Sequence, residues 1–153
     1  MQFAGQFERT LDDMGRVVLP ARLRDGLAGG QVLISDGGDR LSIWPADEFE
    51  RFVDDLTEDL QLQVDQGAMD DSDINETLDY LWASAQPIKP DAQGRIVIPD
   101  ELLTDELRGS DIVITGARER IDLFTATEYY AKHAAAKPKV AVAVSKHKPR
   151  RRT

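Results

Sequence analysis

A nine-residue pattern occurs twice in this chain, 79 positions apart. Asp12-Asp13-Met14-Gly15-Arg16-Val17-Val18-Leu19-Pro20 and Asp91-Ala92-Gln93-Gly94-Arg95-Ile96-Val97-Ile98-Pro99 both read Asp-x-x-Gly-Arg, three aliphatic residues, proline. After one inserted residue the agreement resumes at an offset of 80. Val32-Leu33-Ile34 answers Ile112-Val113-Ile114, Arg40-Leu41-Ser42-Ile43-Trp44 answers Arg120-Ile121-Asp122-Leu123-Phe124, and Glu48-Phe49 answers Glu128-Tyr129. One short motif recurs easily by chance, but an ordered series does not, so the chain is a tandem duplication. Its fold must accommodate two similar units. At 153 residues and 41% apolar content, they form one domain or two very small ones sharing a core.

Each copy predicts the same local plan. An extended segment reaches the aspartate, turns at glycine and leaves as a short buried strand, Val17-Val18-Leu19 or Ile96-Val97-Ile98. Gly15 and Gly94 suit a backbone with positive φ, and each aspartate is placed to accept hydrogen bonds from turn amides. Pro20 and Pro99 suit the first position of a helix, where the missing N–H is not needed. A short helix is therefore expected over 21–27, stopped by Gly29-Gly30. Strands at 31–35 and 40–44 follow, joined by a tight turn at Asp36-Gly37-Gly38-Asp39.

Three longer helices are also expected. Phe49, Phe52, Val53, Leu56 and Leu60 form a helical stripe in 46–60, and Ile74, Leu78, Leu81, Trp82 and Ala85 form another in 73–85. A third helix begins near Thr125, where Thr125-x-x-Glu128 matches a capping box. These stripes read first as core packing, with subunit packing as the alternative.

Charge is distributed unevenly. All 28 acidic residues lie before position 132, together with 11 of the 19 lysines and arginines. Residues 132–153 hold the other eight cations and no acid. Between Pro45 and Trp82, 13 acids face Arg51 alone. A body this acidic repels nucleic acid at long range, so any DNA contact must rest on local cationic sites. Arg16 and Arg95 are the candidates. A guanidinium beside a turn presents a planar fork to phosphate or to a guanine edge, and Asp12 or Asp91 can hold that fork from behind. Arg9, Arg22 and Arg24 are candidate phosphate contacts in the first copy. The tail reads as a mobile, solvated extension, with a sequence-blind phosphate contact as the functional alternative.

Other chemistry is poorly supported. There are no cysteines, which removes disulfides and thiolate chemistry. His133 and His147 share no carboxylate at a metal-ligand spacing. Asp71-x-Asp73-x-Asn75 begins like a calcium loop, but Glu76 stands where glycine is needed and Trp82 where glutamate is needed. No phosphate-binding glycine loop or nucleophile elbow occurs. Neither a membrane span nor a secretion signal is read, and no enzyme, cofactor, metal or small-molecule substrate is expected.

The two Asp-x-x-Gly-Arg segments, the spacing of the copies, Phe3-x-Gly5-x-Phe7-Glu8-x-Thr10 and the Trp44-Pro45 step into a helix resemble the MraZ family, built from two SpoVT-AbrB-like half-domains. The resemblance covers about residues 1–131. It implies an α+β, mainly β fold in which two half-domains form one swapped-hairpin β-barrel with peripheral helices. The first repeat would span 5–52, a helical connector 53–83, the second repeat 84–131 and the basic tail 132–153. The resemblance further implies a cytoplasmic, nucleoid-associated homo-oligomer, a ring, that binds short direct repeats of double-stranded DNA in the promoter of its own division and cell-wall gene cluster, as a repressor and without a cofactor. Asp12, Arg16, Asp91 and Arg95 would face the DNA. The second copy carries Asp100-Glu101 where the first has Ala21-Arg22, and Leu103 where the first has Arg24. On those differences it is expected to be the weaker DNA-contacting half. The alternative is an AbrB-like protein-interaction module, an antitoxin or assembly factor.

Overall fold

The computed structural model describes residues 2–27, 29–35 and 40–149, in eight strands and four helices. The first repeat gives β1 (Gln6–Thr10), β2 (Arg16–Val18), α1 (Ala21–Arg24), β3 (Gln31–Ser35), β4 (Arg40–Pro45) and α2 (Ala46–Asp65). After α3 (Asp71–Ser84), the second gives β5 (Gln86–Ile88), β6 (Arg95–Val97), β7 (Asp111–Gly116), β8 (Ile121–Thr125) and α4 (Ala126–Lys146). The turn expected at 36–39 lies outside the described residues.

The first strand of each repeat is exchanged. β3 and β4 form a hairpin within the first repeat, and β7 and β8 form one within the second. β1 of the first repeat pairs with β7, and β5 of the second pairs with β3. The six-stranded sheet runs β1-β7-β8-β4-β3-β5, while β2 and β6 form a separate two-stranded ribbon. Every strand pairing named here is antiparallel.

The register carries a local two-fold. In the ribbon Val17 lies opposite Ile96, its own counterpart in the other repeat. In the sheet Ser42 lies opposite Asp122, again its counterpart. An antiparallel pair centred on equivalent residues is what rotation by half a turn produces, so the axis passes through both pairs.

The ribbon closes one face of the sheet. Val17, Leu19, Ile96 and Ile98 pack with Leu33, Leu41, Ile43, Ile114 and Leu123 in one buried cluster. This is the alternation expected of strands with one wet face: in β2 and β6 only the middle residue points inward. On the opposite side of the sheet, Ile34 and Trp44 pack with Phe49 and Val53 of α2 and Leu81 of α3. The predicted stripes of α2 and α3 are therefore core stripes. Trp82 departs from this, since it is half exposed and meets Phe49 edge-on at 5.0 Å.

Three expectations need correction. The fold is mixed α and β, but it is not mainly β. Helices α2, α3 and α4 have 20, 14 and 21 residues, and the longest strand has six. α4 accounts for much of the difference. It starts at the Thr125 cap, whose hydroxyl accepts from Glu128 N–H at 3.3 Å, and the basic segment stays helical and exposed as far as Lys146.

Secondly, the first-repeat helix is a single turn ending at Arg24, with Pro20 at its cap position. Thirdly, Pro99 opens no helix. Leu102 and Leu103 N–H both bond the Pro99 carbonyl, and then Thr104 Oγ1 accepts from Leu107 N–H and starts a new turn. A hydroxyl that offers the backbone a local partner competes with helix propagation.

Candidate nucleic-acid interface

The two Asp-x-x-Gly-Arg segments fold into nearly superposable corners. Asp12 Oδ1 accepts from the backbone N–H of Met14 at 2.9 Å and of Arg16 at 2.8 Å. Its Oδ2 accepts from Arg16 Nε at 2.8 Å. Asp91 Oδ1 accepts from Gln93 and Arg95 N–H, and its Oδ2 from Arg95 Nε, all at 2.9 Å. Gly15 and Gly94 turn the chain at φ of 80° and 82°, a region that a side chain disfavours. The sequence pattern is thus explained residue by residue: the aspartate ties the turn, the glycine makes it, and the arginine leaves it.

Arginine offers five N–H donors, and the aspartate uses Nε alone. The hydrogen bonds found to the carboxylate use Nε, which leaves terminal amino groups of each fork for other acceptors. The Arg16 and Arg95 side chains are 53% and 49% exposed. Both guanidinium groups therefore face outward, already oriented. Asp12 and Asp91 are held below the ordinary carboxylate value, first by the backbone N–H of Arg16 and Arg95 respectively.

The surroundings of the two corners differ in an unexpected way. Arg24 of the first repeat lies over Gly94, the turn glycine of the second, whereas Leu103 lies beside Gly15. Positions 24 and 103 are counterparts, so each repeat packs its α1-equivalent segment on the other's turn. The cation missing at Leu103 is thereby missing from the first corner. Lys89 joins the second corner as well: it borders one groove with Arg16, Asp91, Arg95 and Val97, and another with Arg24, Pro90 and Asp91. Near the first corner, Arg108 donates to the Asp13 carbonyl at 3.1 Å but also faces Asp100 and Asp105 at 3.6 and 3.9 Å. By local charge the second corner is the more cationic, the reverse of the sequence expectation. The reason is exchange: local composition assigns Arg24 to the wrong corner. Lys89 was missed although it stands two positions before Asp91.

The remaining candidates do not all converge. Arg22 is exposed on α1. Arg9 sits apart on the edge strand β1, near Asp111 and Tyr130, and donates to the Glu8 carbonyl at 2.7 Å. Pro20 and Pro99 are structural, their carbonyls accepting the bonds that start the following turns.

Sequence reasoning also passed over a buried polar cluster on the outer face of the sheet. Asp122 is almost fully buried. Its Oδ1 accepts from Ser42 Oγ at 2.7 Å and from Arg120 Nε at 2.9 Å, and Arg40 approaches its Oδ2 at 3.5 Å. Arg120 in turn lies over the Trp44 ring at 5.6 Å. Ser42 and Asp122 are the pair on the local axis, so this cluster braces the junction between the repeats. Among the described residues, no group of three or more histidines and carboxylates could hold a metal ion, and no helix is long and apolar enough to cross a membrane.

These features define a class: duplicated α/β proteins in which two strand-exchanged repeats set a pair of aspartate-held arginines on one shared ribbon. The family described as "MraZ protein, putative antitoxin-like" matches residues 2–71. Proteins named transcriptional regulator MraZ are similar over most of the chain. That of Salinispora arenicola is 38% identical over 123 residues, 80% of each chain. That of Frankia alni is 36% identical over 130 residues, covering 84% of this chain and 85% of its own. That of Mycolicibacterium smegmatis is 31% identical over 134 residues, covering 86% and 88%. The chain belongs to the MraZ family.

Proposed function

We propose that this chain is a sequence-specific DNA-binding transcriptional regulator, a repressor that acts on short direct repeats in the promoter of its own division and cell-wall gene cluster. The observation that carries the reading is the paired corner. Two guanidinium forks, fixed by Asp12 and Asp91, leave the same ribbon outward and are joined by Lys89 and Arg24. A two-stranded ribbon fits the major groove of B-DNA, and an arginine fork fits the O6 and N7 of guanine. Because the aspartates already restrain the forks, less side-chain freedom is lost on binding. The relatives are named transcriptional regulators, which supports the regulatory part of this reading.

The fuller reading takes the exchanged sheet and ribbon as one swapped-hairpin barrel, with repeats at 5–52 and 84–131. The chain works in the cytoplasm, on the nucleoid, as a ring-shaped homo-oligomer. A ring that engages several repeats gains affinity through effective concentration, which offsets the acidity of the body.

A mobility-shift titration on the region upstream of the chain's own reading frame tests the reading. Arg16→Ala and Arg95→Ala should each weaken binding about tenfold or more, by loss of one bidentate contact, while size exclusion shows an unchanged oligomer. Undiminished binding by both variants refutes it. A second reading, a protein-interaction module of the antitoxin type, is favoured by the family's description and by the acidic face of α2 and α3. It predicts no shift on that DNA and no dependence on salt.

A further inference from the structure

We propose that Val18 and Val97 are specificity-determining residues that read the C5 methyl groups of thymine. The inference rests on the DNA-binding reading and deepens it.

The outward face of the ribbon holds four side chains. Register sets Arg16 opposite Val97 and Val18 opposite Arg95. The backbone bonds from Leu19 N–H to the Gly94 carbonyl and from Ile98 N–H to the Gly15 carbonyl fix the alternation. The two Arg–Val pairs fall at the non-hydrogen-bonded positions, where facing side chains come closest. The result is a checkerboard of two forks and two isopropyl groups, about 5 Å across the strands and about 7 Å along them. The local two-fold exchanges the two halves of this patch.

The valines are out of place for a solvated face. Val18 and Val97 are 44% and 58% exposed, while Val17 and Ile96 between the flanking residues are buried. An antiparallel ribbon with one buried face ordinarily turns polar residues to water. An isopropyl group has no donor or acceptor, so it cannot serve phosphate or sugar. It needs an apolar counterpart at the place where the flanking arginines meet a base edge. In the major groove that counterpart is the thymine methyl, the one apolar group on the groove floor. The forks would then take guanine edges, and each valine a thymine close by.

The experiment uses the full chain and a duplex of its own upstream region, amplified once with dTTP and once with dUTP. The two probes have the same sequence and differ only in the thymine methyl. Wild-type protein should bind the uracil probe more weakly, about fourfold for each methyl buried. Ser removes both methyl groups and leaves only a small hydroxyl at the contact. The Val18→Ser/Val97→Ser variant should therefore bind both probes alike, near the wild-type level on uracil DNA. Each single variant should lose part of the discrimination. Equal binding of both probes by the wild type overturns the inference and leaves the DNA-binding reading standing. So does a thymine preference that persists in the double variant, because duplex mechanics would then explain it. Failure of the wild type to bind either probe overturns both.

Discussion

Arg24, carried by the first repeat, lies across Gly94, the turn glycine of the second, so closely that a Cβ at position 94 would meet its guanidinium. The contact joins two halves that are 70 positions apart in sequence. It also supplies the second corner with a charge that its own repeat lacks.

Gly94→Ala should therefore do two things. It should strain the turn, since alanine at φ of 82° costs about 1–2 kcal/mol. It should also push Arg24 off the corner and weaken DNA binding. Gly67→Ala is the control: φ there is 75°, but nothing lies within 4 Å of the new methyl. Thermal unfolding should show a comparable loss in that control, while its mobility shift stays wild-type. Identical behaviour of the two variants in both assays would mean that the Arg24 contact has no consequence.

The corner carboxyls should titrate in a diagnostic way. Asp12 and Asp91 lie below their ordinary value of 3.8, with the backbone N–H of residues 16 and 95 as the first cause. A carboxyl lowered by folding stabilises the native turn above the ordinary value. That contribution fades as pH falls from about there through the lowered pKa. Carboxyl carbon NMR should place both midpoints below 3.8. Arg16→Ala should return Asp12 only part of the way, because the amide of residue 16 survives the substitution. A full return would assign the effect to the guanidinium.

Removing the buried carboxylate should loosen the junction of the repeats. Asp122→Ala leaves Ser42 and Arg120 without the acceptor they share. Urea unfolding should show a loss of about 1–3 kcal/mol, with Asp122→Asn in between. DNA contacts should change little under native conditions, since this cluster lies on the sheet face opposite the ribbon.

The basic end of α4 should contribute to affinity without contributing to selectivity. Residues 131–149 are all exposed, so truncation after Ala136 should leave the fold intact. It should flatten the dependence of log affinity on log salt, because fewer counterions are released. Site preference should stay as it was. An unchanged slope would remove the tail from the interface.

Much of this was legible in the residues. The duplication located both corners, and Asp-x-x-Gly-Arg foretold the turn, its glycine and the arginine brace, because all the partners lie within five positions. The stripes of α2 and α3 and the Thr125 cap were equally local. What stayed hidden was non-local. Nothing in β1 or β5 says that it pairs with the other repeat, so Arg24 was assigned to its own corner. Asp122 carried no signal of its own, because Ser42, which closes over it, lies 80 positions away. Pro99 was read by analogy with Pro20, but the segment after it forms separate turns at Pro99 and Thr104 instead of one helix.

The exchange of first strands has a consequence for assembly. Neither half owns a complete sheet, since the hairpin of each is finished by a strand from the other. Were the halves separate molecules, every pair of corners would depend on a bimolecular encounter and would dissolve at high dilution. Tethered by α2 and α3, the encounter becomes unimolecular. Each polypeptide carries both corners together, at a fixed stoichiometry and at any dilution.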